Sequence, residues 1–261
     1  CGPIATKAVL SGNPSLEAVR GGPTVVNGVK VLPTYHPSQV ALQRHLRPVL
    51  HSDIQKAIRH HRDRLQWPEP IVHYNPTPDV VRDFFRRAGE EDWLLSYDVE
   101  TDGIDALNAD LRCIGIGTEN EVLMLGFLSI DGASRFYSPE DEEVIKSLLR
   151  EVFDERSKVR ICGHNAGYFD RLVVEQHLGV TPAPLVDTLL LHKLGASEYR
   201  HSLGFVGSVL TDVPAWKADH AGVTAKTDEE LHEYCATDVA VTARIVQPLL
   251  EMVYERKQTH L

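Results

Sequence analysis

The sequence predicts an α/β protein: a mixed β-sheet flanked by helices, preceded by a small α/β segment. Three observations lead there. Leu94-Leu95-Ser96-Tyr97-Asp98-Val99-Glu100 starts apolar and ends acidic, as a strand does when it leaves a core. Two further strands, 111–117 and 121–126, follow as a hairpin, and helix and strand alternate after them. Two helix starts are marked by caps, Ser138-Pro139-Glu140-Asp141 and the pair Thr227 and Glu230.

The elements can be taken in order. Residues 4–10 form a short helix ending near Gly12, and Gly21-Gly22-Pro23 is a turn. Residues 24–32 are two strands about an Asn27-Gly28 turn. Ser52 and Gln55 form a capping box for a helix to about Leu65, with Ile54, Ile58 and Leu65 on one side. Its other side carries Lys56, Arg59, Arg62 and Arg64 with His60 and His61. Gln66 to Pro78 is proline-rich and reads as a linker. Thr77 and Pro78 open a helix that ends near Gly89. Then come strands at 93–98, 111–117, 121–126 and 159–162, and a helix over 168–178 stopped by Gly179. Helices follow at 187–194 and 202–210, an irregular stretch at 211–226, and a long helix to about Tyr254. No internal repeat or low-complexity tract is visible. The expected organisation is a basic segment 1–66, a linker 67–78 and a main domain 79–261.

Composition is that of a globular protein, 43% hydrophobic and 25% charged, with no membrane-length apolar run and no leading signal segment. Cys1, Cys113, Cys162 and Cys235 form no C-x-x-C pair, which argues against a zinc site and gives no sign of a disulfide scaffold. They read as bystanders or core residues, and a reducing, cytosol-like compartment is the default. A first residue of Cys rather than Met suggests a fragment or a trimmed chain. The net charge of −10 hides an asymmetry: residues 1–66 hold nine Lys/Arg against three Asp/Glu, and the remainder eighteen against thirty-four. A basic front and an acidic body suggest two units with different tasks.

The chemistry lies in three stretches. Asp98 and Glu100, two apart on a strand, project from one face, and two anions so close repel unless a cation sits between them. Taken alone, such a D-x-E is common and marks only a strand ending in a polar turn. Gly163-His164-Asn165-Ala166-Gly167-Tyr168-Phe169-Asp170 places an acid just inside a helix after a strand. Tyr234 and Asp238, four apart on the last helix, share a face and can hold one water between phenol and carboxylate. Four carboxylates and a tyrosine suit two-metal phosphoryl transfer, with Mg²⁺ or Mn²⁺ on oxygen ligands. No glycine-rich phosphate loop followed by lysine is present, so triphosphate hydrolysis is not suggested.

Asp98-x-Glu100-Thr101, Asn165 to Asp170, and Tyr234-x-x-x-Asp238 resemble, in order and spacing, the three motifs of the DEDDy 3′–5′ exonucleases. They are most similar to the proofreading domain of family A DNA polymerases, particularly the phage forms. Val186-Asp187-Thr188-Leu189-Leu190 and His201-Ser202-Leu203-Gly204 resemble the intervening segments, so the likeness covers roughly residues 90–250. The Asn-to-Asp interval is one residue longer than in many bacterial members, and no polymerase domain follows Leu261. The chain is then a freestanding exonuclease, a fragment, or one half of a split polymerase. A weaker likeness, carried by Val31-Leu32-Pro33-Thr34-Tyr35-His36-Pro37-Ser38, links the front segment to the C-terminal part of uracil-DNA glycosylases. The water-activating motif of that family is missing upstream, so no uracil excision is expected, and His36 is either a loop cap or part of a DNA-binding remnant.

The resemblance implies a ribonuclease-H-like domain that removes nucleotides from the 3′ end of single-stranded DNA and releases 5′-mononucleotides. It implies two divalent ions held by Asp98, Glu100, Asp170 and Asp238, with Tyr234 orienting the attacking water and Thr101 at the terminal nucleotide. Asn165 either touches substrate or shapes the turn, and Asp187 is expected to be structural. Trp216 and Lys217 are either a plain loop or a stacking site for bases. Lys56, Arg59, Arg62 and Arg64 are expected to bind DNA phosphates. A separate polymerase subunit is a candidate partner, and the cytoplasm of a bacterial or phage-infected cell the expected location. An RNA-trimming enzyme of the ribonuclease D type shares the motifs, and a catalytically silent binding module is a third reading.

Overall fold

A computed structural model describes residues 2–11, 13–184, 186–217 and 225–259. Cys1, Gly12 and part of the irregular stretch expected at 211–226 lie outside the described residues. The chain divides into two units: residues 1–68 with 196–224, and residues 69–195 with 225–261. The smaller unit is therefore discontinuous by this division, where the sequence suggests a 1–66 segment, a linker 67–78 and a 79–261 domain.

In the larger unit, β3 (Ile71–Tyr74), β4 (Leu94–Thr101), β5 (Leu111–Gly117), β6 (Glu121–Gly126), β7 (Arg160–Gly163) and β8 (Val186–Asp187) form one mixed sheet of order β3-β6-β5-β4-β7-β8. The expected linker is thus partly an edge strand. β3 pairs in parallel with β6, and its flanking prolines bracket a strand that needs a partner on one side only. Central β4 runs antiparallel to β5 and parallel to β7.

The alternation of β4 divides the chemistry from the core. Leu95, Tyr97 and Val99 enter a buried cluster with Ile114, Leu123 and Leu125 from the sheet. Val81 and Phe84 of α5 (Pro78–Glu90) and Ile145, Leu149 and Phe153 of α6 (Pro139–Phe153) complete it. Tyr97 meets Phe153 edge-on, ring centres 5.1 Å apart. Ser138 caps α6, its hydroxyl accepting from the Asp141 N–H at 3.1 Å, as expected. On the other side of the strand lie Ser96, Asp98 and Glu100.

α7 in our numbering is Phe169–Leu178, ended by Gly179 at φ +70°, a left-handed conformation that favours glycine. α8 is Thr188–Gly195. The last helix, here α10 to leave α9 for the smaller unit, is Asp228–Thr259 and packs along β4, β5 and β6. The Thr227 side of its capping box is present, the hydroxyl accepting from Glu230 N–H at 3.2 Å, while the Glu230 carboxylate accepts from the N–H of Lys226, one residue before the cap, at 2.8 Å. α10 lies close because β5 carries Gly115, where a Cβ would sit 2.8 Å from Val239 Cγ2 and 3.0 Å from Cys235 Sγ. The Ser96 hydroxyl fixes the same turn by donating to the Val239 carbonyl at 2.7 Å.

In the smaller unit, α1 (Pro3–Val9), α2 (Leu16–Val19), a hairpin of β1 (Thr24–Val26) and β2 (Val29–Val31), α3 (Pro37–Leu42), α4 (Arg47–His61) and α9 (Leu203–Leu210) surround a small core of Leu16, Tyr35, Val40, Leu46 and Val49. Asn27 and Gly28 take φ of 50° and 78°, the turn that an Asn-Gly pair predicts. α4 departs from expectation. It starts at Arg47 with Pro48 in its first turn, so Ser52 is interior and caps nothing. Its buried face is Val49, Asp53 and Lys56, while Ile54 and Ile58 remain 48% and 47% exposed. Buried polar partners reverse the faces. Asp53 accepts from Arg20 at 2.7 Å and from the Thr34 hydroxyl, and the Lys56 ammonium donates to the carbonyls of Gly21 and Ser208. Apolar spacing cannot announce such a network.

Candidate active site

The acids of the three stretches come from the end of β4, the first turn of α7 and the middle of α10. Asp98 and Glu100 are half-buried opposite Gly115 and Cys113 of β5. β4 outruns its parallel partner, since pairing with β7 stops at Ser96. Beyond that point the Val99 N–H is taken up by a side chain, donating to Asp170 Oδ1 at 3.3 Å. This hydrogen bond sets the α7 carboxylate beside the strand, between the positions of Asp98 and Glu100.

Asp170 is pushed up to about 7, first by burial and further by the charges of Asp187 and Asp238, against lowering by the backbone N–H bonds it accepts. Asp238 is 5% exposed, and Tyr234, one turn before it, is half-buried. Cys235, between them, is fully buried and its thiol donates to Asp98 Oδ2 at 3.6 Å. One oxygen each from Asp98 and Glu100 and the Cys235 sulfur lie within 4.8 Å of one another. Carboxylates placed so, one of them raised chiefly by burial and further by neighbouring charge, form a donor set that fits a divalent cation.

Asp170 gives a first expected result. Its carboxyl is raised, so between pH ~4 and ~7 the folded chain holds a proton that the unfolded chain has released. In chelator, stability should therefore fall as pH rises through that window, by up to about 4 kcal/mol for a shift of this size. Asp170→Asn removes the penalty. Its melting temperature in chelator should exceed wild type at pH 8 and match it near pH 4. An equal difference at both pH values would refute this.

The remaining expected site residues fall out differently. Thr101 is half-buried and its hydroxyl donates to the Gly103 carbonyl at 2.7 Å. Asn165 has a left-handed φ of 61°, and its N–H donates to Asp187 Oδ1 at 3.0 Å. Asp187 also accepts from the N–H groups of Leu189 and Leu190, so it caps α8 and fixes the turn before α7. Lys56 is corrected: it is 1% exposed, bonded to two carbonyls of its own unit, and offers no charge to a phosphate. Arg59 is engaged by both carboxylate oxygens of Asp212. Arg62 and Arg64 are exposed. The His36 ring accepts from Ser38 N–H at 3.2 Å, capping α3. Lys217 lies over the Trp216 ring at 5.7 Å in the smaller unit. Cys235 was legible as a residue beside Tyr234, but the spacing carries no sign that its sulfur meets Asp98.

A mixed sheet with acids at the end of its central strand, and further acids on two helices, is an arrangement compatible with metal-assisted phosphodiester cleavage. The chain belongs to the 3′–5′ exonuclease family, whose model matches residues 73–254, and it is of the DEDD type. Several solved structures share the fold. Brucella melitensis NrnC bound to pGG is 22% identical over 72% of this chain and 82% of that one, with a TM-score of 0.53. Escherichia coli RNase D, described as an exoribonuclease involved in structured RNA processing, is 15% identical over 70% and 45%, with a TM-score of 0.52. The catalytic core of RRP6 from Trypanosoma brucei is 14% identical over 92% and 66%, with a TM-score of 0.52. The fold is ribonuclease-H-like. No curated protein sequence matches the chain. The family match begins at residue 73, so the glycosylase likeness of the front segment stands without support from it. Among the described residues no helix is long and apolar enough to cross a membrane.

Proposed function

We propose that this exonuclease removes mononucleotides from the 3′ end of single-stranded DNA, in the manner of a proofreading domain. The reading is supported by Asp98 and Glu100 on one face of the β4 end, by the Asp170 carboxylate bonded to the Val99 N–H between them, and by the electrostatic influence of Asp238 on Asp170. These four would hold two divalent ions, Mg²⁺ or Mn²⁺, which when bound supply a metal-activated hydroxide and charge neutralisation at the leaving oxygen. Tyr234 orients the attacking water from one turn before Asp238. Thr101, beside Glu100, meets the terminal nucleotide, and Asn165 holds the turn that leads into Asp170. A separate polymerase is the partner such an activity serves. Arg62 and Arg64, exposed in the smaller unit, are candidate phosphate contacts. An unchanged salt dependence of binding in the Arg62→Ala/Arg64→Ala variant would remove them.

RNA is the second reading, favoured by the fold neighbours, one of which is described as an exoribonuclease. The test uses DNA and RNA oligonucleotides of one sequence, labelled at the 5′ end. Ladders of one-nucleotide steps should appear with Mg²⁺ or Mn²⁺ and vanish with chelator, faster on DNA. Faster degradation of RNA would reverse the substrate, and no ladder on either would reject the activity.

A further inference from the structure

Outside the four acids, one reactive group faces the same space. Cys235 is fully buried, and its Sγ is 3.6 Å from Asp98 Oδ2 and 3.8 Å from the Asp98 carbonyl. The sulfur and one oxygen each of Asp98 and Glu100 lie within 4.8 Å of one another, a span that a single ion can bridge. α10 holds the sulfur there through the close approach at Gly115 and the Ser96 bond to Val239. Hard ions such as Mg²⁺ take oxygen ligands and gain nothing from a thiol, whereas Zn²⁺ and Cd²⁺ bind thiolate strongly.

We infer that Cys235 is a metal-selecting ligand, which with Asp98 and Glu100 makes a site for thiophilic divalent ions. The inference rests on the proposed metal-binding role of those two acids. On binding, the sulfur–metal bond replaces the S–H bond, and the proton leaves to solvent. An ion so held occupies the position of a hard ion and displaces it, so thiophilic metals compete with Mg²⁺ for the site.

Cadmium is the probe, because a cadmium–thiolate bond has an ultraviolet charge-transfer absorption that requires no turnover. Titration of the metal-free full chain should produce this band with the intensity of about one thiolate per chain. It should be lost in Cys235→Ala and Cys235→Ser, kept in Cys113→Ala, and weakened at least ~10-fold in apparent affinity in Asp98→Asn. In all the cysteine variants Mg²⁺ should still raise the melting temperature, which shows that the carboxylate site is intact. Absence of the band in wild type, or its survival in both Cys235 variants, overturns the inference. A nuclease assay that fails while the band behaves as described would strike the proposed reaction and leave the ligand assignment standing.

Discussion

Asp98→Ala will abolish nucleotide release, a loss on the order of 10³-fold or more, while the fold persists. The side chain is half-buried at the open end of β4 and takes no part in the apolar cluster on the opposite face of the sheet. Its removal deletes a proposed metal ligand without opening a core cavity. Circular dichroism should be unchanged. In chelator the melting temperature should hold or rise, because the acids repel when no cation lies among them. Asp238→Ala should lose as much activity, although Asp238 is 5% exposed and its variant tests packing more severely. Residues that act as one unit do not add: the double variant should be no slower than either single one. Wild-type turnover in either single variant, at saturating Mg²⁺ or Mn²⁺, would remove that residue from the site.

Tyr234→Phe should slow the chemical step about 10²-fold, the usual value of one positioned hydrogen bond to a reacting group. The ring stays, so packing of α10 on the sheet is kept and KM should remain within about twofold of wild type. Single-turnover rates, measured with substrate already bound, isolate the step. An unaltered single-turnover rate would leave Tyr234 as a packing residue, and a raised KM with normal kcat would make it a substrate contact.

Much of this was legible in the chain. The change from apolar to acidic along β4, with period two, announced both a strand and which of its residues leave the core. β5 and β6 lie where alternation placed them, at 111–117 and 121–126. Local chemistry worked where the signal was local, as at Ser138, Thr227, Asn27-Gly28 and Gly179. It failed where the deciding partner is distant. Prolines around Ile71–Tyr74 imitate a linker, because an edge strand has one neighbour and that neighbour, β6, lies about fifty residues on. The face of α4 was inverted because Asp53 and Lys56 find partners at Arg20, Gly21 and Ser208. The turn at Asn165 is held by Asp187, twenty-two residues later. In the site itself, residue types and order were readable, but the hydrogen bond from Val99 to Asp170 and the sulfur against Asp98 exist only once β7 ends early and α10 docks.

The place of α10 bears on when a growing chain becomes dangerous to nucleic acid. Asp98 and Glu100 leave the ribosome long before Tyr234 and Asp238, and the strands that carry them can pair with β5, β6 and β7 in the meantime. At translation speeds of about 5–20 residues per second, the interval between the first acid and the last is on the order of ten seconds. During that time the nascent polypeptide holds an acidic strand end with no α10 across it and without Tyr234. A chain broken off before Asp228 would stay in that condition. If the proposed site is the working one, nuclease competence arrives late in synthesis, once α10 has docked on the sheet.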